Sequence, residues 1–177
     1  GATFDMDGDG RSDDTGWIGR GDGFLVIDRN NDGKIVDAAE LSLAAETGGT
    51  TGGFGGLARL DSNLDGVVDA KDARFRELRV WVDANGDGIS DAGELRTLAD
   101  AGIKSVAVKG IAAADRTIEL GDSALLATAS FTRIDGSTGT ASEAALGYRP
   151  NYAVPQSPYS GTDAPGNTSA ESSLSLF

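Results

Sequence analysis

With 177 residues, of which 39% are hydrophobic and only 6% aromatic, the chain holds enough apolar material for one domain, or one domain and a tail, with a lean core. Twenty-eight acidic side chains against 15 basic ones give a formal charge of −13, which repels nucleic acid and anionic membranes and attracts cations; no apolar run is long enough to cross a bilayer. The chain has no cysteine and no histidine, which excludes disulfides, thiol catalysis, Ser-His-Asp triads and thiolate or imidazole metal sites, and leaves oxygen donors suited to hard cations: calcium, magnesium, manganese or lanthanides. From the N-terminus to about residue 37, acidic loops alternate with short apolar stretches. The first loop starts at Asp5 (DMDGDGRSDD) and the second at Asp28 (DRNNDGKIVDAAE). Between them, Phe24 to Ile27 is an apolar run that reads equally as a buried strand or a turn of helix.

A helix is predicted over Ala38 to Thr47, stopped by Gly48-Gly49, and the following GGTTGGFGG is a flexible connector. Phe54, Leu57 and Leu60 predict a short helix entering a third loop at Asp61 (DSNLDGVVDAKD). Ala70 to Val82 is expected to be helical, with Phe75, Leu78 and Val82 near one face, and to lead into a fourth loop at Asp83 (DANGDGISDAGE). A last helix is expected over Ala92 to Ala101, burying Leu95 and Leu98 and ending at Gly102. Helix–loop–helix–loop–helix is the arrangement of a paired EF-hand unit. Beyond Gly102, Ser105–Val108, Thr117–Leu120 and Ser130–Ile134 read as short strands, with a turn at Asp135-Gly136. From about Arg149, Pro, Ser, Thr, Gly and Ala dominate, and no independent core is expected. The expected fold class is therefore α+β: EF-hand-like helix-loop-helix calcium sites, then short antiparallel strands and a flexible tail. The calcium-binding module would span residues 1–148 and the tail residues 149–177.

The four loops share the D-x-[DN]-x-[DN]-G core of a calcium loop, in which alternate side chains send oxygens into one small volume and glycine makes the turn. Loop 3 supplies Asp61, Asn63, Asp65, the Val67 carbonyl, Asp69 and Asp72; loop 4 supplies Asp83, Asn85, Asp87, the Ile89 carbonyl, Asp91 and Glu94. Both are complete twelve-residue loops. Loop 2 offers Asp28, Asn30, Asp32 and the Lys34 carbonyl, but its acid, Glu40, comes one position late, and Asp37 is also near. Loop 1 offers Asp5, Asp7, Asp9 and the Arg11 carbonyl; its twelfth position is Gly16, so Asp13 or Asp14 must close it. Without a cation, carboxylates about 5 Å apart repel by roughly 3 kcal/mol per pair at an effective dielectric near 20. Four divalent ions would reverse that repulsion and bring the formal charge from −13 to −5, coupling folding to metal binding. Trp17 and Trp81 lie beside loops and are read as core packing.

On these residues the chain resembles a known family. The stretches TGWIGRGDGFLVIDRNNDGKIVDAAEL and LARLDSNLDGVVDAKDARFRELRVWVDANGDGISDAGELRTLADAGI, with the strands after them, are similar to the self-processing module of secreted RTX proteins of the meningococcal iron-regulated (Frp) type, over roughly residues 1 to 136. The resemblance implies that calcium folds the module. It further implies cleavage of an Asp-Pro bond at the module's N-terminal edge through a cyclic anhydride, the freed aspartyl group then linking to a lysine amine. The loop ligands carry over to Asp61, Asn63, Asp65, Asp69, Asp72, Asp83, Asn85, Asp87, Asp91 and Glu94. The scissile aspartate carries over to nothing, because the chain contains no Asp-Pro dipeptide; no residue is assigned a catalytic role and no self-cleavage by that route is expected.

The leading expectation is a calcium-binding module of a secreted bacterial RTX-type protein, loose at low calcium and folded outside, with about four Ca²⁺ as its partners. It expects neither nucleic-acid binding nor membrane insertion and leaves a protein partner open. The alternatives are a self-processing module without its scissile segment, and an adhesin or spacer stiffened by calcium. The apolar-ended C-terminus (AESSLSLF) reads either as a type I secretion signal or as a plain disordered tail.

Overall fold

A computed structural model describes residues 2–113, 119–120, 123–150 and 169–176. Its elements, in chain order, are β1 (Ala2–Phe4), β2 (Asp13–Thr15), β3 (Gly23–Ile27), α1 (Ala38–Leu41), a 3-10 turn (Leu43–Thr47), α2 (Gly53–Ala58), β4 (Val67–Asp69), a second 3-10 turn (Phe75–Glu77), β5 (Leu78–Trp81), β6 (Leu95–Thr97), β7 (Ile103–Ala107), β8 (Ile111–Ala112), β9 (Glu119–Leu120), β10 (Ser123–Arg133), β11 (Thr138–Arg149) and β12 (Ser169–Leu176). The strands form one 12-stranded sheet in the order β4-β7-β10-β11-β12-β3-β5-β6, with β1 on β2, β2 also on β11, and β8 and β9 on β10. All of the strand pairings are antiparallel.

The ambiguous run Phe24 to Ile27 is a strand, and its continuous apolarity has a physical reason. β3 is buried on both faces, so both sets of alternating side chains must be apolar. Leu25 and Ile27 enter one core with Phe54, Leu57, Val80, Val106, Phe131 and Leu174. Phe24 and Val26 enter a second core with Phe4, Met6, Ile35, Leu41, Trp81 and Leu146. Burying each of these four side chains contributes about 1.5–3 kcal/mol before ordering costs.

The EF-hand expectation is overturned: none of the four loops has an α-helix on both sides. Loop 1 joins β1 to β2, and loop 4 joins β5 to β6, so both are hairpin connections. Loop 2 runs from β3 to α1; loop 3 leaves α2 and contains β4. The helix expected over Ala70 to Val82 is replaced by a short 3-10 turn and by β5, whose Leu78, Val80 and Trp81 are buried against β3 in the register Phe24↔Trp81 to Ile27↔Leu78. β-branched and aromatic side chains suit that pleated surface. The helix expected over Ala92 to Ala101 is likewise β6 and a turn, although Leu98 is buried and Gly102 ends the segment at φ +75°.

The helix expected over Ala38 to Thr47 is broken at Ser42, whose backbone is extended; its last part is a 3-10 turn capped by Gly48 in the left-handed region. The short helix through Phe54 and Leu57 forms as α2. Of the predicted strands, Ser105–Val108 falls in β7 up to Ala107, Ser130–Ile134 falls in β10 up to Arg133, and Asp135-Gly136 is a turn with Gly136 at φ +87°. Thr117 and Ile118 lie outside the described residues, while Glu119–Leu120 is β9. The flexible tail is corrected over Ser169–Leu176, which forms β12 between β11 and β3; residues 151–168 lie outside the described residues.

Candidate metal centres

The four loops fold on one internal hydrogen-bond scaffold. The carboxylate at position one accepts the position-six glycine N–H: Asp5 from Gly10 (2.9 Å), Asp28 from Gly33 (2.9 Å), Asp61 from Gly66 (2.9 Å) and Asp83 from Gly88 (2.8 Å). The position-three oxygen accepts the position-five N–H: Asp7 from Asp9, Asn30 from Asp32, Asn63 from Asp65 and Asn85 from Asp87. The position-five carboxylate accepts the position-seven N–H: Asp9 from Arg11, Asp32 from Lys34, Asp65 from Val67 and Asp87 from Ile89. The backbone makes this possible by turning left-handed twice per loop. Position six has φ +86°, +80°, +92° and +80° at Gly10, Gly33, Gly66 and Gly88; position four has +75°, +56°, +59° and +77° at Gly8, Asn31, Leu64 and Gly86. Short acidic and amide side chains favour such local bonds to backbone N–H groups.

The acid that closes each loop is recognised by the amides it receives. Glu94 accepts from Ala84 (2.9 Å) and Asp91 (3.1 Å), positions two and nine. Asp72 accepts from Ser62 (2.8 Å) and Asp69 (2.8 Å), the same two positions. Glu40 accepts from Arg29 (3.2 Å) and Val36 (3.2 Å), again positions two and nine, so in loop 2 the longer Glu40 takes this place from position thirteen. Asp37 instead caps α1, its side chain accepting the Glu40 N–H. In loop 1, Asp13 accepts the position-two N–H of Met6 (3.1 Å), whereas Asp14 is exposed on β2. Asp13, Glu40, Asp72 and Glu94 are all buried, as are Asp61 and Asp83.

These environments push two of the carboxyls in opposite directions. Burial raises Glu40 above its ordinary range; the N–H groups of Val36, Asn30 and Arg29 counter this only in part, and the charge of Asp37 adds to it. Burial also pushes Asp72 upward, but there the N–H groups of Asp69, Ser62 and Asn63 and the Ser62 hydroxyl prevail and hold the carboxyl below its ordinary range.

Loops 1, 2 and 4 meet. Asp5, Asp7 and Asp13 bring one carboxylate oxygen each within 4.8 Å of one another, a spacing that a metal ion could occupy. The Thr3 N–H donates to the Asp87 carbonyl (3.2 Å), and the Ala38 N–H to the Asp5 carbonyl (3.2 Å). Gly88 must be glycine at this junction, because a Cβ there would lie 2.4 Å from the Thr3 carbonyl oxygen and φ is +80°. The three loops line a cleft of about 450 Å³ that includes Thr3, Asp5, Lys34, Ile35, Gly88 and Asp91. Loop 3 stands apart: its β4 pairs with β7, and exposed Lys71 places Nζ 3.8 Å from Asp65 and 3.6 Å from Asp69.

A family model described as the SPM domain matches residues 1–147. The chain belongs to the SPM domain family. It is 43% identical over 143 residues to the iron-regulated protein FrpA of Neisseria meningitidis serogroup C; the match covers 78% of this chain and 13% of the relative, so the chain corresponds to a small part of that protein.

Within this SPM domain, two contacts to loop 4 escape a reading by spacing. The Trp17 indole N–H donates to Asp83 (2.8 Å), and the Trp81 indole N–H to Glu94 (3.4 Å). Both rings also pack as expected, with Phe4 and Phe24, at centroid distances of 4.9–6.0 Å. Each thus joins the second core to an oxygen donor. Trp81 lies two residues ahead of the loop, a placement visible in the sequence; Trp17 is 66 residues from Asp83, and no local signal links them.

Proposed function

We propose that this SPM domain is a calcium-binding module of a secreted bacterial RTX-type protein, whose four loops take up Ca²⁺ and tighten the fold. The observation that carries the reading is the fourfold recurrence of one scaffold, with a buried acid closing each loop on the position-two amide. The donor set fits a hard cation: every proposed side-chain ligand is a carboxylate or an amide oxygen. Each ionised carboxylate has about four lone-pair sites, so the bonds to N–H groups orient the oxygens and leave acceptor capacity free. Asp5, Asp7, Asp9 and Asp13 would serve loop 1; Asp28, Asn30, Asp32 and Glu40 loop 2; Asp61, Asn63, Asp65, Asp69 and Asp72 loop 3; Asp83, Asn85, Asp87, Asp91 and Glu94 loop 4. Bound calcium would supply the charge that cancels the repulsion among these anions.

Calorimetric titration of metal-stripped protein, with magnesium as control, tests this. About four Ca²⁺ per chain are expected, with a higher melting temperature and a change in tryptophan emission from Trp17 and Trp81 at loop 4. The same melting temperature in chelator and in saturating calcium would refute the proposal. The SPM match, together with the likeness to self-processing modules, favours one further reading: calcium-dependent cleavage of an Asp-Pro segment placed ahead of residue 1. Fusing such a segment and adding calcium should yield a shortened product; an intact fusion at millimolar calcium rejects it.

A further inference from the structure

β12 lies in the interior of the main sheet path, between β11 and β3. Take it out of the order and β4-β7-β10-β11 separates from β3-β5-β6. On one side β12 pairs with β11 over eight residue pairs, from Tyr148↔Ser169 to Ala141↔Leu176. On the other it pairs with β3 at Leu174↔Leu25, Ser175↔Phe24 and Leu176↔Gly23. Leu174 (0% exposed) and Leu176 (5%) enter the core shared with Leu25, Phe54, Val80 and Phe131. The surface they enter is shaped for them. Gly53, at the start of α2, lies against Leu174, and a Cβ there would come 2.8 Å from the Leu174 Cγ. β3, α2 and nearly all of β11 fall within the residues matched by the family model, while β12 falls outside them. The acceptor therefore belongs to the family domain and the strand filling it to the segment beyond.

We propose that the gap between β3 and β11 is a strand-acceptor site that holds Ser169–Leu176 as it would a separate peptide, and that the same segment of a second copy of this chain can replace it. Two open sheet edges facing each other across one strand's width bind an extended peptide through main-chain hydrogen bonds, with alternate side chains setting specificity. Leu174 and Leu176 are those side chains. In sequence, 19 residues, 150–168, separate β11 from β12, and the entropy of bringing two chain segments together changes only slowly with the length between them. The tether adds effective concentration, while the strand's own contacts decide which segment fills the gap.

The test uses the full chain with a protease recognition sequence placed within residues 151–168. After cutting, the C-terminal fragment should co-elute with the body. A fluorescent peptide of residues 166–177 in excess should displace it, directly or after unfolding and refolding together. A Leu174→Ser version of the peptide should bind about thirtyfold more weakly or worse. If the body unfolds on losing its fragment, the peptide should restore the melting transition. Failure of the labelled peptide to enter after joint refolding overturns the proposal, as does a body that loses the fragment and melts as the uncut chain does. Every arm is run in the same saturating calcium, so that metal uptake by the loops is constant across the comparison.

Discussion

Leu64 stands 85% exposed in a left-handed backbone conformation (φ +59°), at the loop position where the other three loops carry Gly8, Asn31 and Gly86. That conformation costs an ordinary side chain about 1–2 kcal/mol, whereas asparagine tolerates it. Leu64→Asn should therefore stabilise the protein by about 0.5–1 kcal/mol, read as a higher urea midpoint at unchanged slope. Glu40 and Asp37 separate a loop-closing role from a capping one. Glu40→Gln should weaken the loop 2 site or abolish it, lowering the calorimetric stoichiometry by one. Asp37→Ala should cost about 1 kcal/mol through the lost cap and leave the stoichiometry alone; the opposite result would reassign the closing acid. At this scale much was legible in the sequence. The oxygens at positions one, three and five and the glycine at six interact within a few residues, and spacing alone reveals them. The choice of Asp13 over Asp14, and of Glu40 over Asp37, depends on which carboxylate reaches the position-two amide, and that is set by the path of the chain.

The elements flanking the loops were the part that spacing concealed. Phe75, Leu78 and Val82 suit a helical face, yet Leu78 to Trp81 gain more by pairing with β3, which the local pattern does not contain. A loop of this kind closes on its own amides and accepts a strand, a helix or a 3-10 turn at either end. Between loops 2 and 3, the connection is ionic. Glu46, whose side chain is only 8% exposed, receives Arg29, which follows Asp28 of loop 2, and Arg74, which follows loop 3. The hydrogen bond from Arg74, joined by that from Arg29, holds the Glu46 carboxyl below its ordinary value of 4.5 despite its burial. A carboxyl depressed on folding stabilises the protein above its unfolded pKa, and that stabilisation is lost as pH falls through the folded one. In chelator, the stability gap between the wild type and Glu46→Gln should be level from pH 7 to about 5 and shrink below about 4.5. A gap independent of pH down to 3 would show that the ion pairs contribute nothing.

Across the whole molecule, β-structure dominates where mixed helices and strands were expected, because Phe24 to Ile27 organises two cores at once and draws β5 and β12 to its edges. The alternating leucines of the C-terminal segment were visible, but low hydrophobicity and many serines argued for a tail; their burial needs a partner surface more than a hundred residues away in sequence. That placement orders events in time. A ribosome delivers residues 23 to 27 early and residues 169 to 176 late, so the two groups of strands stay unjoined until the last strand has emerged. A nascent chain of this protein therefore cannot complete the sheet from its own residues until residue 176 has emerged.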